Sequence, residues 1–272
     1  MATRSDPSAL RWLIGVELAN LRKQAAVQPR EVLEETGIPR PKLSHMENGR
    51  YHQNPDDIVK VLTFYGVPQR DIDRLTSLAH TTETKAWWTP WAQLVPDWMK
   101  TYLGLEGLAE SEFVFEPMMV PPLLQTEDYA GATSERLVSL HIARARRLLD
   151  EEPLRLHAVL GEAALRLNVG TPELRQAQYR HLLRMANLPN VTVQILRPED
   201  GRHPAAAGHF AVLDFAQAQT VAYAEHLEGA VYVQDREQVR TYGTAAENLR
   251  SIALTPLKSL ALLKSLVDAP TL

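Results

Sequence analysis

Through the first 80 residues, apolar positions recur three and four apart, a spacing that predicts helices. Leu10, Ile14, Leu18 and Leu21 share one face of a helix that starts at Asp6-Pro7, with aspartate as cap and proline in the first turn, and runs to about Ala25. A second helix is expected from about Pro29 to Glu35, a bend at Thr36-Gly37-Ile38, and a third helix from about Arg40 to Glu47 that stops at Asn48-Gly49. Gly37 and Gly49 can take the positive φ that ends a helix without a Cβ clash. Asn54-Pro55 repeats the opening of the first helix. Ile58, Val61, Leu62 and Tyr65 carry a fourth that closes at Gly66, and Ile72, Leu75, Leu78 and Ala79 a fifth from Pro68 to about His80. Five short helices around one core make a complete small domain over residues 1–80.

Beyond it the pattern changes. Residues 81–90 read as a linker, polar from Thr81 to Lys85, and a second domain is expected over 91–272. Trp87, Trp88 and Trp91, with Trp98 and Tyr102 after them, form either a packing anchor or a stacking platform for a ligand. A helix from Pro96 to about Glu110 precedes a short strand at Phe113-Val114-Phe115. Pro121-Pro122 bars a helix up to that point, and Thr126 caps a short one beginning at Glu127-Asp128. Ser134 to Asp150 reads as an arginine-rich helix capped by Ser134 (Arg136, Arg144, Arg146, Arg147), either a contact surface or a solvated face. Leu154–Leu160 and Val191–Leu196 alternate as strands, with a helical turn at Glu162–Leu167 and a helix from Thr171-Pro172 to about Asn187 between them. Gly208–Phe215 and Thr220–Ala224 read as two strands joined by a hairpin-like turn, and helices at Asp235–Ile252 and Pro256–Val267 close the chain. The expected fold is therefore multidomain, all-α and then α+β or mixed α/β.

The stretch from Gln28 to Arg50 carries the candidate chemistry. Two helices joined by a glycine-containing turn form a helix-turn-helix, whose second helix can enter the major groove. Val32, Leu33, Ile38, Leu43 and Met46 are expected to face inward, leaving a donor-rich face of Arg40, Lys42, Ser44 and His45. Arg40, Lys42 and His45 are the candidates for base or groove contacts; Gln28, Arg30, Ser44, Asn48 and Arg50 are those for phosphate. Gly37, Leu43, Ser44, Glu47 and Gly49 in "GIPRPKLSHMENG" resemble the lambda-repressor-like, or XRE, helix-turn-helix family over about residues 8–80. The resemblance implies an ion pair between Arg22 and Glu47. It departs from the family at Gln28 and Pro39, where serine or threonine is usual, and Pro41 removes one backbone donor.

The later motifs "YLGLEGLAE", "VPPLLQTEDYA", "VLGEAALRLNVG", "LPNVTVQIL", "GHFAVLDF" and "VAYAEHLEG" resemble the domain of unknown function behind XRE modules in actinomycete regulators, the WhiJ-like group. The family usually reads Pro-Gly where this chain has Pro121-Pro122. That resemblance implies a transcriptional regulator, described as antitoxin-like because it is often encoded beside a small partner protein.

Composition narrows the remaining choices. The absence of cysteine removes disulfides, thiolate metal sites and a cysteine nucleophile, and suits a cytoplasmic location. No secretory signal or membrane span is read, so the Asn190-Val191-Thr192 sequon has no structural claim. Net charge of −4 argues against a bulk polyanion binder but not against a local patch of Arg22, Lys23, Arg30, Arg40, Lys42 and Arg50, weakened by Glu31, Glu34 and Glu35. No catalytic motif is present and no cofactor is expected. His203 and His209 read as exposed loop residues, and Glu162 and Glu225 as partners for arginine. Three functions compete: a dimeric regulator binding double-stranded operator DNA, with a second domain that senses an effector or binds a partner; an antitoxin-like interaction protein that autoregulates; and an enzyme acting on a small molecule.

Overall fold

In the computed structural model, residues 6–80, 85–205 and 208–269 are described, so Thr81–Thr84 of the expected linker lie outside them. The helices α1 (Pro7–Gln24), α2 (Pro29–Thr36), α3 (Arg40–Glu47), α4 (Pro55–Phe64), α5 (Gln69–Ala79) and α6 (Asp97–Leu108) come first. Then follow β1 (Ser111–Glu116), α7 (Glu127–Ser134), α8 (Val138–Ala145), β2 (Arg155–Gly161), α9 (Glu162–Arg166), α10 (Pro172–Met185) and β3 (Val191–Leu196). The chain ends with β4 (Phe210–Asp214), β5 (Val221–His226), β6 (Gly229–Val233), α11 (Arg236–Ile252) and α12 (Pro256–Asp268). Two compact units result. One is Met1–Ala109 with Asp214–Thr220 and Gln234–Arg236; the other is Glu110–Leu213 with Val221–Val233 and Glu237–Leu272.

In the first unit the helical periodicity produces one core of Ile14, Leu18, Val32, Ile38, Leu43, Met46, Ile58, Val61, Leu62, Ile72 and Leu75. Leu33, expected inside, is 45% exposed, because Val32 and Ile38 alone point α2 and the turn into that core. Asp6 caps α1 through Oδ1, which accepts the Ser8 and Ala9 N–H groups at 2.8 and 3.0 Å, while Oδ2 accepts the Trp88 indole N–H at 2.6 Å. The Trp87 indole N–H donates to the Leu103 carbonyl at 2.9 Å, so these two tryptophans anchor α6 and the start of α1. Gly104 leaves room for the Asp6 carboxylate and the Ala9 methyl. The tryptophans and α6 thus belong to the same compact unit as the five helices.

The second unit is built on a six-stranded sheet in the order β3-β2-β1-β4-β5-β6. β1, β2 and β3 run parallel, and β4, β5 and β6 pair antiparallel. The parallel strands need helical crossovers, which α7–α8 and α9–α10 supply. α11 covers one face, where Phe113, Phe115, Val159, Phe210 and Ala222 pack with Ala246 and Leu249. At the β3 edge, Ile195 is engaged by the start of α12 and the turn before it. Ile195 N–H donates to Ser259 Oγ at 2.9 Å, and the Leu254 N–H donates to the Ile195 carbonyl at 2.9 Å.

Three expectations need correction in this unit. The single helix from Ser134 to Asp150 is instead α7 through Ser134, then 3-10 turns at Glu135–Leu137 and Arg146–Leu148 on either side of α8. Ser134 caps nothing: its backbone turns to φ −158°, ψ 77° and its side chain makes no capping bond. Nor is Arg144 on a solvated face, since it is 2% exposed. The strand β6 was not anticipated, because its two-residue turn, Leu227-Glu228, lacks the Asn-Gly or Asp-Gly chemistry that marks a hairpin.

His141, beside Arg144, is buried with Nδ1 3.1 Å from Gln125 Oε1. Burial, with the Arg144 charge second, lowers its pKa to about 4. A histidine depressed in the folded state stabilises fully above its unfolded pKa and loses that contribution as pH falls. Lowering the pH from 7 to 4 should therefore cost the second unit about 3 kcal/mol through this group, and His141→Gln should remove that part of the acid sensitivity in denaturant titrations. A second expectation concerns glycine. A Cβ on Gly15 would lie 2.6 Å from the Glu47 carbonyl oxygen, whereas one on Gly243 meets nothing. Gly15→Ala should cost about 1–3 kcal/mol and Gly243→Ala in α11 should stabilise by about 0.5–1 kcal/mol, both checked by chemical denaturation.

Candidate nucleic-acid interface

The geometry of the bihelical motif follows from local bonds. The Gln28 N–H donates to Glu31 Oε2 at 2.6 Å, half of a capping box that starts α2 without a serine or threonine. Gly37 ends α2 at φ 73°. The Thr36 hydroxyl donates to the Val32 carbonyl at 2.7 Å and accepts the Ile38 N–H at 3.3 Å, which fixes the turn. Pro39 precedes α3 at φ −70° and Pro41 occupies its first turn, so that turn presents backbone N–H groups only from Arg40 and Lys42.

Leu43 and Met46 seat α3 on the core. Opposite them, Arg40, Ser44 and Asn48 are exposed at successive four-residue steps, forming a straight outward row. The Asn48 amide donates to the Ser44 carbonyl at 2.8 Å and to its hydroxyl oxygen at 3.2 Å. That leaves the Asn48 amide oxygen and the Ser44 hydroxyl proton for an outside partner. Arg50 is exposed just beyond the row, and Arg40 has no ion-pair partner among the described residues.

The remaining candidates are placed differently. Lys42 does not extend into the row: its ammonium lies 2.6 Å from Asp57 Oδ2 of α4. His45 is half-buried, its ring edge-on to Tyr51 at 5.0 Å. Arg30 pairs with Glu34 at 2.8 Å, but with its side chain 87% exposed that contact is weak and easily exchanged for a phosphate. Gln28 is exposed at the start of α2.

What aims α3 is a set of contacts at its end. Arg22 donates from Nε and Nη2 to the two Glu47 carboxylate oxygens at 2.6 and 3.0 Å, and from Nη1 to the Val27 carbonyl at 3.1 Å. The hydrogen bond to Glu47 raises the Arg22 pKa above its ordinary value. Burial, and after it the Glu47 charge, pushes the neighbouring Tyr65 phenol up as well. Gly15 and Gly49 let the backbones of α1 and α3 meet; Gly49, at φ 61°, sits where a Cβ would be 2.7 Å from the Arg11 carbonyl. Gln53, buried, donates to the Arg11 and Met46 carbonyls at 2.8 and 3.0 Å. Neither Gly15 nor Gln53 stands out in the sequence. Asp57 is visible there only as an acidic residue in a first helical turn.

In the second unit, His203 and His209 are half-buried rather than exposed. His203 lies edge-on to Phe115 at 5.3 Å. His209 Nε2 accepts the Glu225 N–H at 3.1 Å and its Nδ1 faces Glu116 Oε1 at 3.4 Å. Glu162 accepts from Arg166 at 2.9 Å. Among the described residues, no three histidine or carboxylate side chains converge in a way that could hold a metal ion, and no helix is long and apolar enough to cross a membrane.

Two family models match the chain. One, described as a helix-turn-helix domain, covers residues 13–75; the other, described as a domain of unknown function (DUF5753), covers residues 99–265. No curated protein and no solved structure gives a match.

Arg22→Ala leaves Glu47 without its partner and should destabilise the first unit by about 3 kcal/mol. Arg22→Met combined with Glu47→Leu should cost less than either change alone, as read by urea denaturation followed by circular dichroism.

Proposed function

The chain belongs to the DUF5753 family and carries a helix-turn-helix domain ahead of it, and from that premise we propose that it is a sequence-specific transcriptional regulator that binds operator DNA as a homodimer. The observation that carries this reading is the outward row Arg40–Ser44–Asn48 on a helix whose other side is seated in the core. In it, Arg40 is the reader of a base edge, His45 a groove contact, and Ser44, Asn48, Arg50, Arg30 and Gln28 are the phosphate contacts. In this reading the five helices of residues 1–80 serve DNA, and the second unit, which begins at Glu110, serves a ligand or a protein partner. Its kinship with the WhiJ-like actinomycete regulators, and with it an antitoxin-like role beside a small partner, belongs to the same proposal and rests on the motifs from "YLGLEGLAE" to "VAYAEHLEG". A helix-turn-helix dimer reads half-sites about one helical turn apart. Genome-wide binding of the tagged protein should accordingly return an inverted repeat, and binding confined to no sequence would overturn the reading.

Two measurements test the residue roles. Arg40→Ala should weaken operator binding by about 1–3 kcal/mol and relax preference at one base pair; equal weakening on every sequence would make Arg40 a phosphate contact. With Lys23, Arg30 and Arg50 as the cations of each protomer free for phosphate, log K should fall with log salt at a slope of about 2.7 per protomer.

A further inference from the structure

The cation that the bihelical motif withholds is the most informative feature of its surface. Lys42 stands on α3 two residues after Arg40, where an ammonium could reach a phosphate. It is held by Asp57 instead. That carboxylate comes from the first turn of α4, its side chain is 8% exposed, and Lys42, at 50%, is the cation that reaches it. The Asp57 N–H is engaged by the Asn54 carbonyl at 3.0 Å, and Asn54 Oδ1 accepts the Asp56 N–H at 2.9 Å, so the cap of α4 does not need the Asp57 side chain. The carboxylate oxygen nearest the ammonium, at 2.6 Å, makes no aligned hydrogen bond, so the contact is charge against charge with little directional hold.

A buried carboxylate is costly without an opposite charge, so the fold has a standing demand for Lys42. We propose that Asp57 is a specificity-determining residue: it holds the Lys42 ammonium out of the DNA-facing row and so lowers sequence-independent affinity, leaving discrimination to Arg40, Ser44 and Asn48. The proposal rests on the reading that α3 meets DNA. The physical logic is that each cation delivered to a phosphate adds affinity on every sequence alike, whereas a base-edge contact adds it on one. Holding one cation back shifts the balance toward the second kind.

The test is a double-mutant cycle on the full chain, with Asp57→Asn, Lys42→Met and the pair together, using a mixed-sequence 30-base-pair duplex and fluorescence anisotropy between 50 and 200 mM NaCl. Asp57→Asn should steepen the salt slope by about 0.9, so that the loss of affinity between 50 and 200 mM NaCl grows by about three- to fourfold. In the Lys42→Met background the same change should leave the slope as it was. If Asp57→Asn leaves the slope unchanged, or steepens it equally with and without Lys42, the gate is overturned and Asp57 is only a local negative charge. A wild-type chain that ignores the duplex at 50 mM NaCl would overturn the regulator reading, and this inference with it. Asp57→Ser, read the same way, replaces Asp57→Asn if circular dichroism finds the latter unfolded.

Discussion

The orientation of the candidate reading helix depends on one half-buried ion pair, Arg22 to Glu47, made where two helices touch backbone to backbone. Neither half would suffice alone. An eight-residue helix has too few internal hydrogen bonds to be stable by itself, so α3 exists because Leu43 and Met46 are buried. Burial of two side chains leaves a helix able to roll. The forked guanidinium removes that freedom, because two parallel bonds to a carboxylate fix an angle as well as a distance. Gly15 and Gly49 then set how close α1 and α3 come, and Gln53 ties both to the loop that follows.

The second unit uses polar groups in a comparable way. Gln194, on β3, accepts the His157 Nε2–H on its amide oxygen at 2.6 Å, and its amide N–H groups donate to the Arg250 and Leu254 carbonyls at 3.1 and 2.9 Å. One side chain thereby joins two strands to the end of α11 and the turn into α12. With Ser259 beside it, Ile195 on the edge strand is paired by a side chain and a turn. Gln178 plays the same part for the crossover, accepting the Thr126 N–H at 2.8 Å and donating to the Leu124 carbonyl at 2.7 Å.

How much of this was legible follows from the range of each interaction. Helix starts were readable because aspartate, asparagine and proline act on their immediate neighbours, as at Asp6-Pro7 and Asn54-Pro55. Strands β2 and β3 were readable because alternation is local, and the mixed sheet followed from their company. The outward row could be counted from Leu43 and Met46. What periodicity could not carry was the partner of each charge. Nothing near Lys42 in the chain points to Asp57, and nothing near Arg144 says it is buried rather than solvated. The hairpin of β5 and β6 was hidden for a local reason, since Leu227-Glu228 does not look like a turn until its flanks are paired.

The two prolines that bracket Arg40 have a consequence for how binding would register calorimetrically. Pro39 and Pro41 restrict the backbone before folding as well as after, so the first turn of α3 loses less chain entropy on forming than another sequence would. A recognition element organised in advance has little order left to acquire at the duplex. The heat-capacity change of association should then track only the area removed from water, as expected for rigid docking, and not the larger change of a segment that folds on its target.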